Sequence, residues 1–430
     1  MGRIFYLDAV NGNDENSGIT PDAALKSLEA ANQILFGAGD KLLLKCGCEW
    51  KGMLCPHGDG DRFQFAQIGT YGDGEAPLID GNGAYAAILL DGVSYWKVKG
   101  LRICNHSSER CVRQGICISA KPEGITAGIE ISDCEIFEVD GENRRAMPVY
   151  QSMYWNGAVY VTFPGRTSAQ DHLHDIVISN NYIHDVRTSG IRVNQQEDFI
   201  NDIHHTHVVV RGNRIERTGS DGIIVVNCIS PLIDSNVCFD SGALGTLEDT
   251  QLIAGIWVCA TRDALIQRNE VARTRMFEND GTAFDTDRGT AGTTVFQYNY
   301  SHDNEGGFWL DCMKLNHNRD CEKTILRYNI SMRDGRGIAV YDQGILTEWY
   351  GNLFFHEKPI QICCFDEGEN FHFDHNVFCI PQETDWQKAR YEENIVNASQ
   401  WLELIQYEIQ NPNWRDHVTE KLCKFVGVTR

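Results

Sequence analysis

The sequence predicts an all-β fold: a right-handed parallel β-helix, or β-solenoid, with an N-terminal and a C-terminal helical cap. Three observations predict it. An asparagine recurs at intervals of 23 to 33 residues between short apolar stretches, at Asn181, Asn213, Asn236, Asn269, Asn299, Asn329, Asn352 and Asn376. A glycine or its equivalent recurs with apolar residues one and three places after it, at Gly157, Gly190, Gly222, Gly255, Gly281, Gly307, Gly337 and Pro359. The 430 residues carry no Pro- or Ser-rich linker, which suits one elongated repeat domain. Repeats of this length, made of strands and turns without helices, are solenoid turns; a propeller blade needs four strands and more residues. Unequal intervals fit, because a loop can lengthen without disturbing the stack.

The elements follow in order. Residues 1–45 read as an N-terminal strand and a capping helix. Ile4 to Leu7 is the strand, and Pro21 to Leu35 has helical spacing, with Ala24, Leu25, Leu28, Ala31 and Leu35 on one face. Residues 46–383 form the β-helix catalytic domain. Its asparagines stack amide on amide at a bend. The stretch 142–175 breaks the rhythm with Arg144, Arg145, Tyr150, Tyr154, Trp155 and Arg166, and reads as an insertion that either walls a groove or is disordered. Residues 384–430 read as a C-terminal helical cap of the same domain, through Trp386, Trp401, Leu402, Leu404, Ile405, Tyr407 and Ile409. An open last turn exposes core and unpaired strand edges, so something must cover it.

Acids outnumber bases 60 to 38, a net charge of -22. This argues against a nucleic-acid partner, whose phosphates need Lys and Arg. It also makes a strongly anionic polymer an unnatural substrate. No apolar run is long enough for a membrane span, and the N-terminus lacks a signal-like apolar stretch. Sixteen unpatterned cysteines read as buried free thiols in a reducing, cytoplasmic setting. Cys46, Cys48 and Cys55 lack zinc-ligand spacing. Nothing in the sequence bears on oligomeric state.

The chemistry centres on residues 280–311. Gly281-Thr-Ala-Phe-Asp285 is answered by Gly307-Phe-Trp-Leu-Asp311, each Asp four places after its Gly. If the two phrases stack in equal register, Asp285 and Asp311 point outward from adjacent turns about 4.8 Å apart. At that distance and an effective dielectric of about 20, two charges repel by roughly 3 kcal/mol. One carboxyl then holds its proton while the other stays ionised, which glycoside hydrolysis requires. The spacing favours a retaining reaction, with Asp285 as nucleophile and Asp311 as acid/base. Asp287 is a third candidate acid. Trp257 and Trp309 are expected outward, to stack on sugar rings. His302, Glu305, Arg192 and Asn194 are candidate substrate contacts.

The opening FYLDAVNGNDENSGITPDAALKSL, the PLIDGNG near Pro77 and the repeats to about Ile380 resemble the right-handed parallel β-helix carbohydrate-active enzymes. AFDTD followed by YNYSHDNEGGFWLDC is similar to glycoside hydrolase families 141 and 120. Family 120 pairs an Asp with a Glu on the next turn. Asp285 matches the first, and Asp311 falls where the second would be, without that family's Glu-Val-Asn-His-Gly context. Family 141, with fucosidase and xylanase members, is closer over AFD and YNYSHDN. The resemblance implies a glycoside hydrolase acting on a plant-type oligo- or polysaccharide, xylan-, fucose- or pectin-derived, without a cofactor. A second reading is a calcium-dependent polysaccharide lyase of the family 9 pectate lyase kind, whose Lys base lies on a G-F-K-L-like rung. Trp309 stands in that Lys position here, and Lys314 is off register. A third is a noncatalytic carbohydrate-binding solenoid, which has no reason to align two acids.

Overall fold

The computed structural model describes residues 2–109, 111–142, 155–163, 171–193, 204–245, 253–277, 280–312, 321–340, 344–364, 368–386 and 389–427. The chain divides into two compact units. One comprises Met1–Phe199, His204–Ile224 and Leu244–Gln251; the other comprises Ile200–Ile203, Val225–Ala243 and Leu252–Arg430. Each is a stack of turns carrying three parallel strands, the arrangement of a parallel β-helix.

In the first unit the first sheet starts with Ile4–Leu7 and Lys41–Lys45 and runs to His172–Ser179 and His205–Arg211. The second runs from Glu49–Lys51 to Arg214–Thr218. The third includes Ala86–Asp91, Gln114–Ser119, Val159–Thr162 and Ile191–Val193. The stretch 142–175 is therefore not one insertion, since Val159–Thr162 is an ordinary rung. Arg144, Arg145, Tyr150, Tyr154 and Arg166 lie outside the described residues; Trp155 is exposed.

In the second unit Ile256–Cys259, Thr282–Asp287, Gly307–Cys312, Gly337–Val340 and Gln361–Cys364 pair in that order in the third sheet. Inside lies an aromatic core of Phe284, Phe296, Phe308, Trp309, Trp349, Phe354, Phe371 and Phe373, all fully buried.

The asparagine column is a hydrogen-bonded ladder. In the second unit Asn236, Asn269, Asn299, Asn329, Asn352 and Asn376 each donate the backbone N–H and the Nδ2–H to the Oδ1 of the next asparagine, at 2.9–3.1 Å. The last acceptor is Asn394, one rung beyond the column read from the sequence. In the first unit Asn181 donates to Asn213 in the same way, and Cys134 stands in the column one rung earlier. The residue before each asparagine makes the bend. Ser235, Arg268, Tyr298, Tyr328 and His375 all have φ between 50° and 58°. A left-handed conformation costs a non-glycine residue roughly 1–2 kcal/mol. The pair of amide bonds at every rung offsets it.

Both expected caps take a different form. At the N-terminus Pro21–Ala23 is a 3-10 turn, and Leu28–Ala31 a single helical turn capped by Ser27. Leu25 is extended and bridges Leu7, which covers the free edge of the first strand with backbone. Leu35, expected on the buried face, is 71% exposed, because the helical spacing ends with Ala31. At the C-terminus Arg390–Glu392 and Ile395–Val396 continue the first and second sheets. The helices Ser399–Glu408 and Trp414–Val426 do not close the end of the stack; they lie along the outer face of the second sheet. There Ile330, Met332, Leu353, Val377 and Cys379 pack with Trp401, Ile405, Val418 and Leu422. Those strands are apolar outside as well as inside, and an apolar outer face must be covered.

Every cysteine whose side chain is described is a free thiol, most of them buried. Among the described residues no helix is long and apolar enough to cross a membrane.

Candidate active site

The third sheet of the second unit carries the acidic run, and its register decides which acids meet. Trp257 pairs with Asp285, and Asp285 with Leu310. Thr286 pairs with Asp311, and Asp287 with Cys312. The two glycine phrases are thus out of step by one residue: Gly307 pairs with Thr282 rather than with Gly281. A one-residue slip turns a side chain to the other face of the sheet. Asp311 shares the parity of Thr286, not of Asp285, and is fully buried. The expected outward pair of Asp285 and Asp311 is therefore absent, and with it the adjacent-turn spacing that favoured retention. The same slip overturns Trp309. It pairs with Phe284 and points into the core, 5.5 Å from Trp349 and 6.1 Å from Phe371 between ring centroids. Its Nε1–H donates to Thr286 Oγ1 at 3.2 Å.

Asp285 and Asp287, two residues apart on one strand, share the outward face by alternation alone, and the slip leaves Asp311 off it. Asp285 is 5% exposed, flanked on neighbouring strands by Trp257 (7%) and Leu310 (4%). Asp287 is half-buried, beside the half-buried Cys312. Burial pushes the Cys312 thiol up, and the charges of Asp287 and Asp285, a hydrogen bond to Asp287, and Asp280 push it further. Burial first, then Asp287, holds Cys259 well above the usual thiol range. Asp280 thus joins the acidic cluster, and its Oδ1 accepts the Gly281 N–H at 2.9 Å. Sequence reasoning passed over it, although DGTAFDTD places three acids within eight residues.

The remaining candidates separate. Trp257 faces outward as expected, but it pairs with Asp285 rather than with Ala283 and is 7% exposed. His302 belongs to the second sheet, not the third. Its Nδ1 is 2.7 Å from Asp303 and its Nε2 3.4 Å from Glu270, and its ring stacks on Tyr300. Burial pushes its pKa down, but the bonds to Glu270 and Asp303 outweigh this and raise it. The first unit repeats the constellation with Tyr182, His184, Asp185 and Glu135. A unit used twice in the stack is a rung-to-rung clamp rather than a substrate contact. Glu305 is exposed in the turn after the second sheet, where its Oε2 accepts the Met276 N–H at 2.8 Å and fixes that loop. Arg192 lies in the first unit, fully buried, paired with Tyr160 on the outward column of its own third sheet. Asn194 lies outside the described residues. Asp311's parity also keeps it from sharing a cation with Asp285 and Asp287, as a calcium-dependent lyase reading would need. No group of three or more His, Cys, Asp or Glu among the described residues is arranged to hold a metal.

The second unit is thus a three-stranded parallel stack with two acids and an indole on one outer face. No family model matches the chain. It is 26% identical over 471 residues to the lacto-N-biosidase of Bifidobacterium longum subsp. longum, a match covering 88% of this chain and 29% of that protein. The chain therefore spans less than a third of that relative's length. Among solved structures it is similar to the GH136 lacto-N-biosidase from Eubacterium ramulus. The selenomethionine derivative has a TM-score of 0.70 and 22% identity, covering 92% of this chain and 67% of that one. The native protein has a TM-score of 0.65 and 23% identity, covering 92% and 68%. XylC in complex with xylose is more distant, with a TM-score of 0.50 and 11% identity over 91% of this chain and 87% of that one. At these identities the solved structures establish a shared fold.

Proposed function

We propose that the chain is the catalytic β-helix of a glycoside hydrolase, with Asp285 and Asp287 as its carboxyl pair. The observation that carries this is their common outward face beside Trp257. The sequence relative supports the reading and directs the substrate. Its name points to an oligosaccharide of the milk type carrying a lacto-N-biosyl group. The expectation of a plant-type xylan, fucan or pectin substrate, with families 120 and 141 as models, gives way to it.

The surroundings divide the roles. Asp285 sits between an indole and a leucine, and a carboxyl among apolar neighbours is the one suited to hold a proton. It donates that proton to the glycosidic oxygen as the bond to the anomeric carbon breaks. Asp287, more open and beside a thiol on the next strand, is suited to stay ionised. It faces the developing positive charge and supplies the electrons, itself or through a water that it deprotonates. Residues two apart on a strand stand about 6.6 Å apart, above the usual retaining separation and at the lower edge of the inverting one. The anomer first released, read by NMR, reports the outcome directly.

The test uses a chromogenic lacto-N-bioside. Asp285→Asn and Asp287→Asn should each lower kcat at least about 100-fold with the melting temperature kept. Asp311→Asn, changed inside the core, should lower the melting temperature and leave kcat within a few-fold. Near-normal turnover in Asp287→Asn removes the pair; a large kcat loss in a stably folded Asp311→Asn restores the adjacent-turn arrangement.

A further inference from the structure

Asp287 stands in the same register as two thiols. Cys312 is its partner on the strand Gly307–Cys312. On the other side, the pairing of Trp257 with Asp285 and Val258 with Thr286 carries Cys259 to the place opposite Asp287. The two cysteines differ in what they do. The Cys259 thiol bonds the Arg288 carbonyl at 3.2 Å. The Cys312 thiol stands beside the Asp287 side chain, in register on the adjacent strand. Among the described residues, the titratable and charged groups that act on this face include Asp280 and Asp285 with Arg288 in its own segment, Cys259 on one neighbouring strand and Cys312 on the other.

We propose that Cys312 is a positioning residue for Asp287, its S–H donating to the carboxylate and fixing which oxygen faces the substrate. The proposal rests on the reading of Asp287 as the ionised member of the pair. Burial and the neighbouring acids keep the thiol protonated, so it serves as a donor and not as a nucleophile. A donor to a carboxylate favours the charged form. Losing it raises the pH at which Asp287 ionises, and the acidic limb of the pH profile moves to higher pH.

Cys312→Ala should lower kcat/KM about tenfold, the scale of a hydrogen bond to a charged group, and move that limb upward with an unchanged melting temperature. Cys312→Ser keeps a donor, so it should stay within about threefold of wild type, with the limb in place. A purely structural cysteine would lower the melting temperature without moving the limb. The infrared S–H stretch, as the wild-type minus Cys312→Ser difference, reads the bond without turnover. It should lie at the low frequency of a thiol bonded to a carboxylate and rise in Asp287→Asn. A wild-type pH limb and rate in Cys312→Ala, or an S–H band unmoved by Asp287→Asn, overturns the proposal. If Asp287→Asn itself keeps full turnover, the catalytic reading falls instead, and the infrared band still reports whether the bond exists.

Discussion

Trp257 and Trp309 look alike in the sequence, each the second residue after a repeat glycine, and the fold gives them opposite fates. Trp257 lies beside Asp285 on the outer face; Trp309 is wedged among Phe296, Trp349 and Phe371. Trp309→Ala should therefore cost about 3–5 kcal/mol of stability, as large-to-small changes in a packed core do, and denaturant unfolding measures it. Trp257→Ala should raise KM several-fold on the lacto-N-bioside with a smaller loss of stability. Equal destabilisation by both, with KM unmoved, would show that Trp257 is only packing. The thiols carry a similar lesson. Cysteine counts read as filler, yet two of them flank an acid, which only strand pairing reveals.

At the scale of the element, the asparagine ladder does the most to fix the turn. Asn299 accepts two bonds from Asn269 and gives two to Asn329. Its Nδ2 also bonds the Ile266 carbonyl at 3.0 Å. Asn299→Ala strands the buried donors of Asn269, at a cost of about 1–3 kcal/mol per orphaned group. Loss should appear as a lower melting temperature and faster amide exchange at the bends on both sides. Protection unchanged at Asn269 would mean that the ladder records the bend without holding it. This element was legible, since a recurring Asn between apolar stretches is a pattern in one dimension. The C-terminal helices were legible as helices but not by their place. Their apolar residues match the outer positions of the second sheet, and the surface they cover is settled by the cluster that joins Ile330, Leu353 and Val377 with Trp401 and Leu422.

At the scale of the whole molecule, the charge of -22 and the acidic run make a cation requirement the natural rival. A hydrolase built on Asp285 and Asp287 needs none. Turnover should be unchanged in EDTA, with new reducing ends and no rise in ultraviolet absorbance from an unsaturated product. Full loss in EDTA and recovery with calcium would place the chain among the lyases.

The sequence by itself determined the repeat, the parallel stack, the stacked asparagines, the acidic run that opens 280–311 and the outward face of Trp257. Each of these is a periodicity or a local cluster, and a strand's alternation is enough to read it. Only the tertiary structure decided that Asp287 rather than Asp311 is the second outward acid, that Trp309 is core, that His302 is a clamp and that the C-terminal helices lie on a face. The physical reason is register. Gly281 and Gly307, at φ 100° and 116°, let the chain enter the sheet one residue out of step. Because side chains alternate with a period of two, a slip of one residue leaves the pattern of the sequence intact while exchanging inside for outside.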